Sequence, residues 1–316
     1  MNELSLPAFE GTNPLGFLAA LGVLDSMARA GRDVTLRWTD DLVPQAVIGG
    51  IDNLDDLLDV VDDDRLSWAD SLVLGFPSNS PMSDAKPGDS LLREWYQSVF
   101  EVPDRNADAD CLCAIVAEGA FDRNGNAKPT HLHFTAGQQQ FLEMVRTLAA
   151  GVNVQLLREA ICGPWAYNSS LPSLSWDARG ERVYAVRATN PSKDKRLGVP
   201  GADWLAFRAL VFYPVSSVNG TLHTTACNTE WKRSAFRWPL WSASATRNVV
   251  WSLVADRTLV SPGATLRSRD LAARGVLRVL ESPIRRSDQG GYGSFGGPET
   301  LAVGWHAPRT AVDNAD

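Results

Sequence analysis

Cysteine and histidine are both scarce in this chain of 316 residues, with four of each. The cysteines, at 111, 113, 162 and 227, are too few and too irregularly spaced for a disulfide framework, so reduced thiols are expected. Long apolar runs are missing as well, and none approaches the roughly 18 residues that a membrane span requires. The opening Met1-Asn2-Glu3-Leu4-Ser5-Leu6-Pro7 places no cation ahead of the apolar stretch from Pro14 to Leu24, unlike a secretory signal. A cytoplasmic location is the resulting expectation. Several catalytic signatures are absent too: the phosphate loop Gly-x-x-x-x-Gly-Lys-Ser/Thr, the nucleophile elbow Gly-x-Ser-x-Gly, the zinc helix His-Glu-x-x-His and the deaminase pair His-x-Glu with Pro-Cys-x-x-Cys. Their absence removes the common catalytic routes without excluding catalysis.

What is present belongs to a globular chain, since hydrophobic residues make up 44% and charged residues 21%. The net charge of −7 conceals an asymmetry. Residues 1–180 hold 12 Lys+Arg against 26 Asp+Glu, whereas residues 181–316 hold 18 against 11, most of those cations being arginine. An arginine-rich part can face a polyanion through forked contacts with phosphate. Alternatively, the acidic and basic parts attract one another, or one of them meets a charged partner protein.

Local pattern begins with a capped helix. Thr12 or Asn13 can cap it, Pro14 fits its first turn, and Leu15, Leu18, Leu21 and Leu24 recur among Gly and Ala, which predicts a buried helix from Pro14 closed by Gly31-Arg32. Residues 34–38 alternate as a strand. Nine aspartates between 40 and 64, with spaced leucines and valines, read as an amphipathic helix with a solvated acidic face. Polar breaks are expected at Ser78–Asp89 and Asp104–Asp110, with a helix over Leu91–Val102 between them. Thr135 marks the expected start of a helix whose first turn contains Gln138-Gln139-Gln140, side chains that suit either solvent or bases and phosphates. Beyond Gly163 short strands and turns take over, and seven of the eleven tryptophans lie between 165 and 251. Arg182–Arg187 and Trp204–Phe212 have strand or buried-helix content, and Thr246–Leu253 reads as a helix. The tryptophans suit a core better than a stacking platform. The fold class expected is α+β: an acidic, mainly helical part over residues 1–180 packed on a basic, mixed part over residues 181–316, as two units or one continuous domain.

Three groups of residues could carry function. The first is the basic tail: Arg267, Arg269, Arg274, Arg278, Arg285 and Arg286, followed by a glycine-rich stretch with Tyr292 and Phe295, which can contact a phosphate backbone and stack on bases. The second is a pair of carboxylates beside tryptophan, Asp177 and Asp203, which could be shielded from water and act as acid and base. The third is His131-Leu132-His133 with Cys111 and Cys113, whose spacing fits no zinc motif. No metal or cofactor is expected.

Patches of the chain resemble proteins encoded in type I-G (formerly I-U) CRISPR loci. They are Leu4-Ser5-Leu6-Pro7 with Gly11-Thr12-Asn13-Pro14 through Leu24, Ala136 to Phe141, Gly163-Pro164-Trp165, Ser175-Trp176-Asp177 with Tyr184-Ala185, and Phe236-Arg237-Trp238-Pro239-Leu240-Trp241. The chain is shorter than that group's large subunits, so the resemblance implies an accessory protein or the separate form of a segment elsewhere attached to the helicase-nuclease. It implies a non-catalytic component of an RNA-guided antiviral effector, with guide RNA or target DNA and other effector proteins as partners. Two other readings stay open: an enzyme working through Asp177 and Asp203, and a protein-only adaptor whose acidic face docks on a basic partner.

Overall fold

A computed structural model describes residues 2–75, 84–104, 106–135, 139–180, 197–228, 230, 233–286 and 292–304. The fold is α+β, with helices and antiparallel sheets. The chain opens with β1 (Glu3–Glu10) and α1 (Pro14–Arg29), followed by β2 (Thr35–Trp38), β3 (Gln45–Gly49) and α2 (Leu54–Ser67). The short α3 (Leu72–Gly75) leads to α4 (Asp89–Phe100), α5 (Asn106–Ile115), the hairpin β4 (Val116–Phe121) and β5 (Ala127–Pro129), α6 (Phe141–Gly151) and α7 (Val154–Cys162). Then come α8 (Pro200–Arg208), β6 (Val215–Val218), β7 (Thr221–Thr224), β8 (Ala235–Trp241), α9 (Arg247–Ala255), α10 (Arg257–Val260), α11 (Ser268–Ala273), β9 (Val276–Arg286), β10 (Gly293–Phe295) and β11 (Glu299–Val303).

Helix α1 is the hub. Asn13 caps it by accepting from the Leu15 amide at 3.2 Å, Pro14 occupies the first position, and every residue from Pro14 to Met27 is buried. Burial on all sides explains the mixture of leucine with glycine and alanine, because only small residues let other backbones approach. Gly22 faces the Leu205 carbonyl of α8 so closely that an added Cβ would lie 1.8 Å from that oxygen. The N-terminus of α1 meets the aromatic strand β8: Trp238 Nε1 donates to the Gly11 carbonyl at 2.9 Å, and the Phe17 ring lies 5.8 Å from that of Trp238 and 5.6 Å from that of Trp38. One hydrophobic core therefore runs from Leu6 to Phe295, through residues of both the acidic and the basic part.

Sheet one has the order β1-β3-β2, all antiparallel. In the second sheet β9 is central, with β8 on one side and β10 and β11 in succession on the other. A bridge between Leu36 and Ala245 ties β2 to the residues after β8.

Several expectations need correction. Residues 106–110, read as a polar break, begin α5, because Asp108 turns inward to accept from Ser71 Oγ at 2.5 Å and leaves the helix a mixed face. The helix expected from Thr135 starts at Phe141, with Gln140 as its cap residue, so Gln139 and Gln140 precede it. Residues 40–53, read with residues 54–64 as one amphipathic helix, instead form the β2–β3 turn, strand β3 and the lead into α2, because the Thr39 amide closes the turn on the Gln45 carbonyl and β3 pairs on both sides with β1 and β2. Ser78–Ser83, Ala136–Gln138, Arg182–Arg187 with Tyr184-Ala185, and Gln289–Gly291 lie outside the described residues. No described helix is long and apolar enough to cross a membrane.

Candidate functional site

The basic tail folds into α11 and the sheet around β9, and its eight candidate residues do not gather in one place. Arg267 and Arg269 flank the start of α11 and are exposed, and neither makes an ion pair among the described residues. Arg274 donates to Asp256 at 2.6 Å and to Thr258 at 2.7 Å. Arg278 reaches back to the β2–β3 turn, donating to the carbonyls of Asp41 at 2.6 Å and Leu42 at 3.2 Å. Arg285 lies on the same strand, about 23 Å further along and on the opposite face. Its neighbour Arg286 turns inward, donating to the carbonyls of His131 at 2.7 Å and His133 at 3.0 Å, and burial lowers its pKa to about 10. Tyr292 is half-buried ahead of β10. Phe295 is fully buried, its ring 5.0 Å from Phe134 and 5.6 Å from Phe236, so it offers no face for stacking on a base. The surface reading therefore rests on Arg267 and Arg269, which are exposed and without an ion pair among the described residues.

The carboxylate pair is brought together around one loop. Asp177 accepts from Asn13 Nδ2 at 2.9 Å, from the Arg179 amide at 2.9 Å and from the Tyr167 hydroxyl at 2.6 Å. Asn13 Oδ1 meanwhile faces the Ala178 amide at 3.4 Å, so two sequence patches 164 residues apart lock against the N-terminus of α1. Tyr167 and Ser175, which flank this latch, both adopt left-handed backbone, at φ 50° and 64°. Asp203 lies on α8 beneath the same loop, accepts from the Leu174 amide at 3.2 Å and has its second oxygen buried without a hydrogen-bond partner among the described residues. Burial pushes its pKa up to about 8, despite the hydrogen bond from the Leu174 amide.

The raised pKa of Asp203 makes stability depend on pH. Asp203 keeps its proton in the native state at pH 7, where the unfolded chain has lost it. Its contribution is complete below about pH 4, the unfolded value, and is lost as pH rises toward 8. Asp203→Asn keeps an acceptor for Leu174 and removes the titration. Thermal melts of both proteins from pH 5 to 8.5 should show the wild type losing stability relative to the variant as pH rises. Parallel curves would refute the assignment.

His131 and His133 lie in a turn, not a strand, and their rings have separate partners. His133 Nε2 contacts Asp84 Oδ1 at 2.9 Å and Thr135 Oγ1 at 3.0 Å, while His131 Nδ1 meets Thr224 Oγ1 at 2.9 Å. Burial holds the His133 pKa below its ordinary value against the pull of Asp84. Asp84 and Thr135 share one ring nitrogen, which is not the relay of a nucleophilic triad. No group of three His, Cys, Asp or Glu side chains placed for a metal ion occurs among the described residues.

A buried ionic network went unread in the sequence. Asp25 of α1, wholly buried, accepts from Arg29 at 2.7 Å, Arg247 at 2.6 Å and Arg208 at 3.2 Å. Arg208, also wholly buried, donates to Asp64 of α2 at 2.8 Å and lies 4.4 Å over the Trp68 ring. Two arginines of the basic part thus neutralise carboxylates of the acidic part inside the fold. The signal available was Asp25 itself, a carboxylate late in a mainly apolar helix and four residues before Arg29. Compared with known proteins, the chain matches no protein-family model and no curated protein.

Proposed function

We propose that this protein is a non-catalytic component of a type I CRISPR effector, acting in the cytoplasm in antiviral defence and contacting guide RNA or target DNA together with other effector subunits. The resemblance of its sequence patches supplies the setting. The observation that carries nucleic-acid contact is the layer from Arg257 to Arg274, which presents Arg267 and Arg269 to solvent without ion pairs among the described residues. The acidic stretch over residues 1–180 and the basic stretch over residues 181–316 act as one body, joined through Asp25, Asp64, Arg208 and Arg247. In this reading Asp177 is a latch on α1, since its two oxygens already receive three donors.

Salt dependence tests it. Binding of a labelled RNA and a labelled DNA duplex should weaken linearly on a plot of log affinity against log salt. Replacing Arg267 and Arg269 with alanine should reduce the slope by about 0.7–0.9 for each phosphate that is no longer neutralised. An unchanged slope would remove these residues from the interface, and no binding at low salt would remove direct nucleic-acid contact.

A further inference from the structure

The turn between β2 and β3 exposes a leucine that the fold holds in place. Leu42 is 89% exposed, and Val43 beside it is 43% exposed. The turn is pinned at several points. Thr39 N donates to the Gln45 carbonyl at 2.9 Å, Gly11 N to the Pro44 carbonyl at 2.8 Å, and Arg278 to the carbonyls of Asp41 and Leu42. Arg278 sits opposite Val303 in the β9–β11 ladder, so the two side chains rise from one face and the turn stands beside β11. Strand β11 adds Val303, 54% exposed, and Leu301, 39% exposed at its bulge. Its outer edge pairs with no strand among the described residues, and no Lys, Arg or Pro between 299 and 303 blocks it. Asp40 and Asp41 on the turn, and Glu299 at the other end of β11, are exposed and without an ion pair among the described residues.

We propose that this corner is a docking site for an extended segment of a partner protein with alternating apolar and basic side chains, which adds a strand to the outer edge of β11. The edge supplies backbone groups that are unpaired among the described residues for the ladder, as strand-addition complexes require. Leu42, Val43, Leu301 and Val303 supply the apolar contact. Asp40, Asp41 and Glu299 select the charge: they outnumber the one cation here, Arg278, whose guanidinium is held by the Asp41 and Leu42 carbonyls, so an acidic segment would meet net like charge. The site is independent of Arg267 and Arg269.

The probe is a labelled ten-residue peptide alternating valine and lysine, compared with its glutamate counterpart and with a copy N-methylated at alternate backbone nitrogens. Fluorescence anisotropy with the full chain should show binding of the lysine peptide, and at least about tenfold weaker binding of the other two. The double variant Leu42→Ser, Val303→Ser, which removes the apolar contact without adding charge, should bind the lysine peptide at least about tenfold more weakly while keeping its melting temperature, since both side chains already face water. Equal binding by the variant, or no binding of the lysine peptide, would overturn the proposal. Two other results would overturn it by assigning the face elsewhere. Slow hydrogen exchange in the free protein at those amides of residues 299–303 that face away from β9 would give it to the chain's own tail, and self-association abolished by the double variant would give it to a second copy.

Discussion

Arg208→Met is expected to destabilise the protein by about 3–5 kcal/mol, the cost of breaking a buried pair by removing one partner. Arg208 is wholly buried, and its guanidinium is shared between Asp64 at 2.8 Å and Asp25 at 3.2 Å. Asp25 would keep Arg29 and Arg247, but among the described residues the Asp64 carboxylate would keep only the Ser26 hydroxyl, at 2.9 Å. Arg208→Lys should recover only a fraction of that stability, because a lysine cannot fork between two carboxylates. Adding Asp64→Leu to Arg208→Met should restore much of the stability, since replacing both members of a buried pair by apolar groups is often neutral. Urea unfolding measures all four proteins. A loss below about 1 kcal/mol for Arg208→Met would mean that water reaches the network and that the two parts are not held together by it.

Gly22→Ala should cost about 3 kcal/mol or prevent folding. Overpacked cores lose about 1–3 kcal/mol when side chains can yield, and here the obstacle is the Leu205 backbone, which an added Cβ would approach to 1.8 Å. The gain in helix propensity from glycine to alanine, about 1 kcal/mol, has the opposite sign and is too small to compensate. Helices α1 and α8 would have to separate, disturbing Asp25 and Arg208 as well. Gly31→Ala is the control for backbone effects: nothing lies within 4 Å of its added Cβ, although its φ of 76° carries a modest strain.

The parts of the fold that could be read from sequence are those whose cause is local. Asn13 and Pro14 start α1, the leucine and valine spacing of residues 54–61 sets the buried face of α2, and Arg247–Ala255 forms the helix expected after Thr246. The α+β class follows from the same local patterns. Partners distant in sequence stayed hidden. Nothing near Asp177 indicates that Asn13 will hold it, and nothing near Arg286 indicates that it will turn toward the carbonyls of His131 and His133. The glycine-rich stretch before Phe295 reads in sequence as backbone that can approach phosphates, with rings that stack on bases. Yet Gly293 is buried because Phe134 occupies the space of a side chain there, with an added Cβ falling 2.4 Å from that ring. Composition identified the arginines but not which of them face water.

The most direct measurement is purification of the tagged full-length protein from its native host at low salt, with sequencing and mass spectrometry of whatever remains attached. The CRISPR reading predicts guide RNA and effector subunits in the preparation, released together as salt rises. A monomer free of nucleic acid and of effector proteins would contradict it.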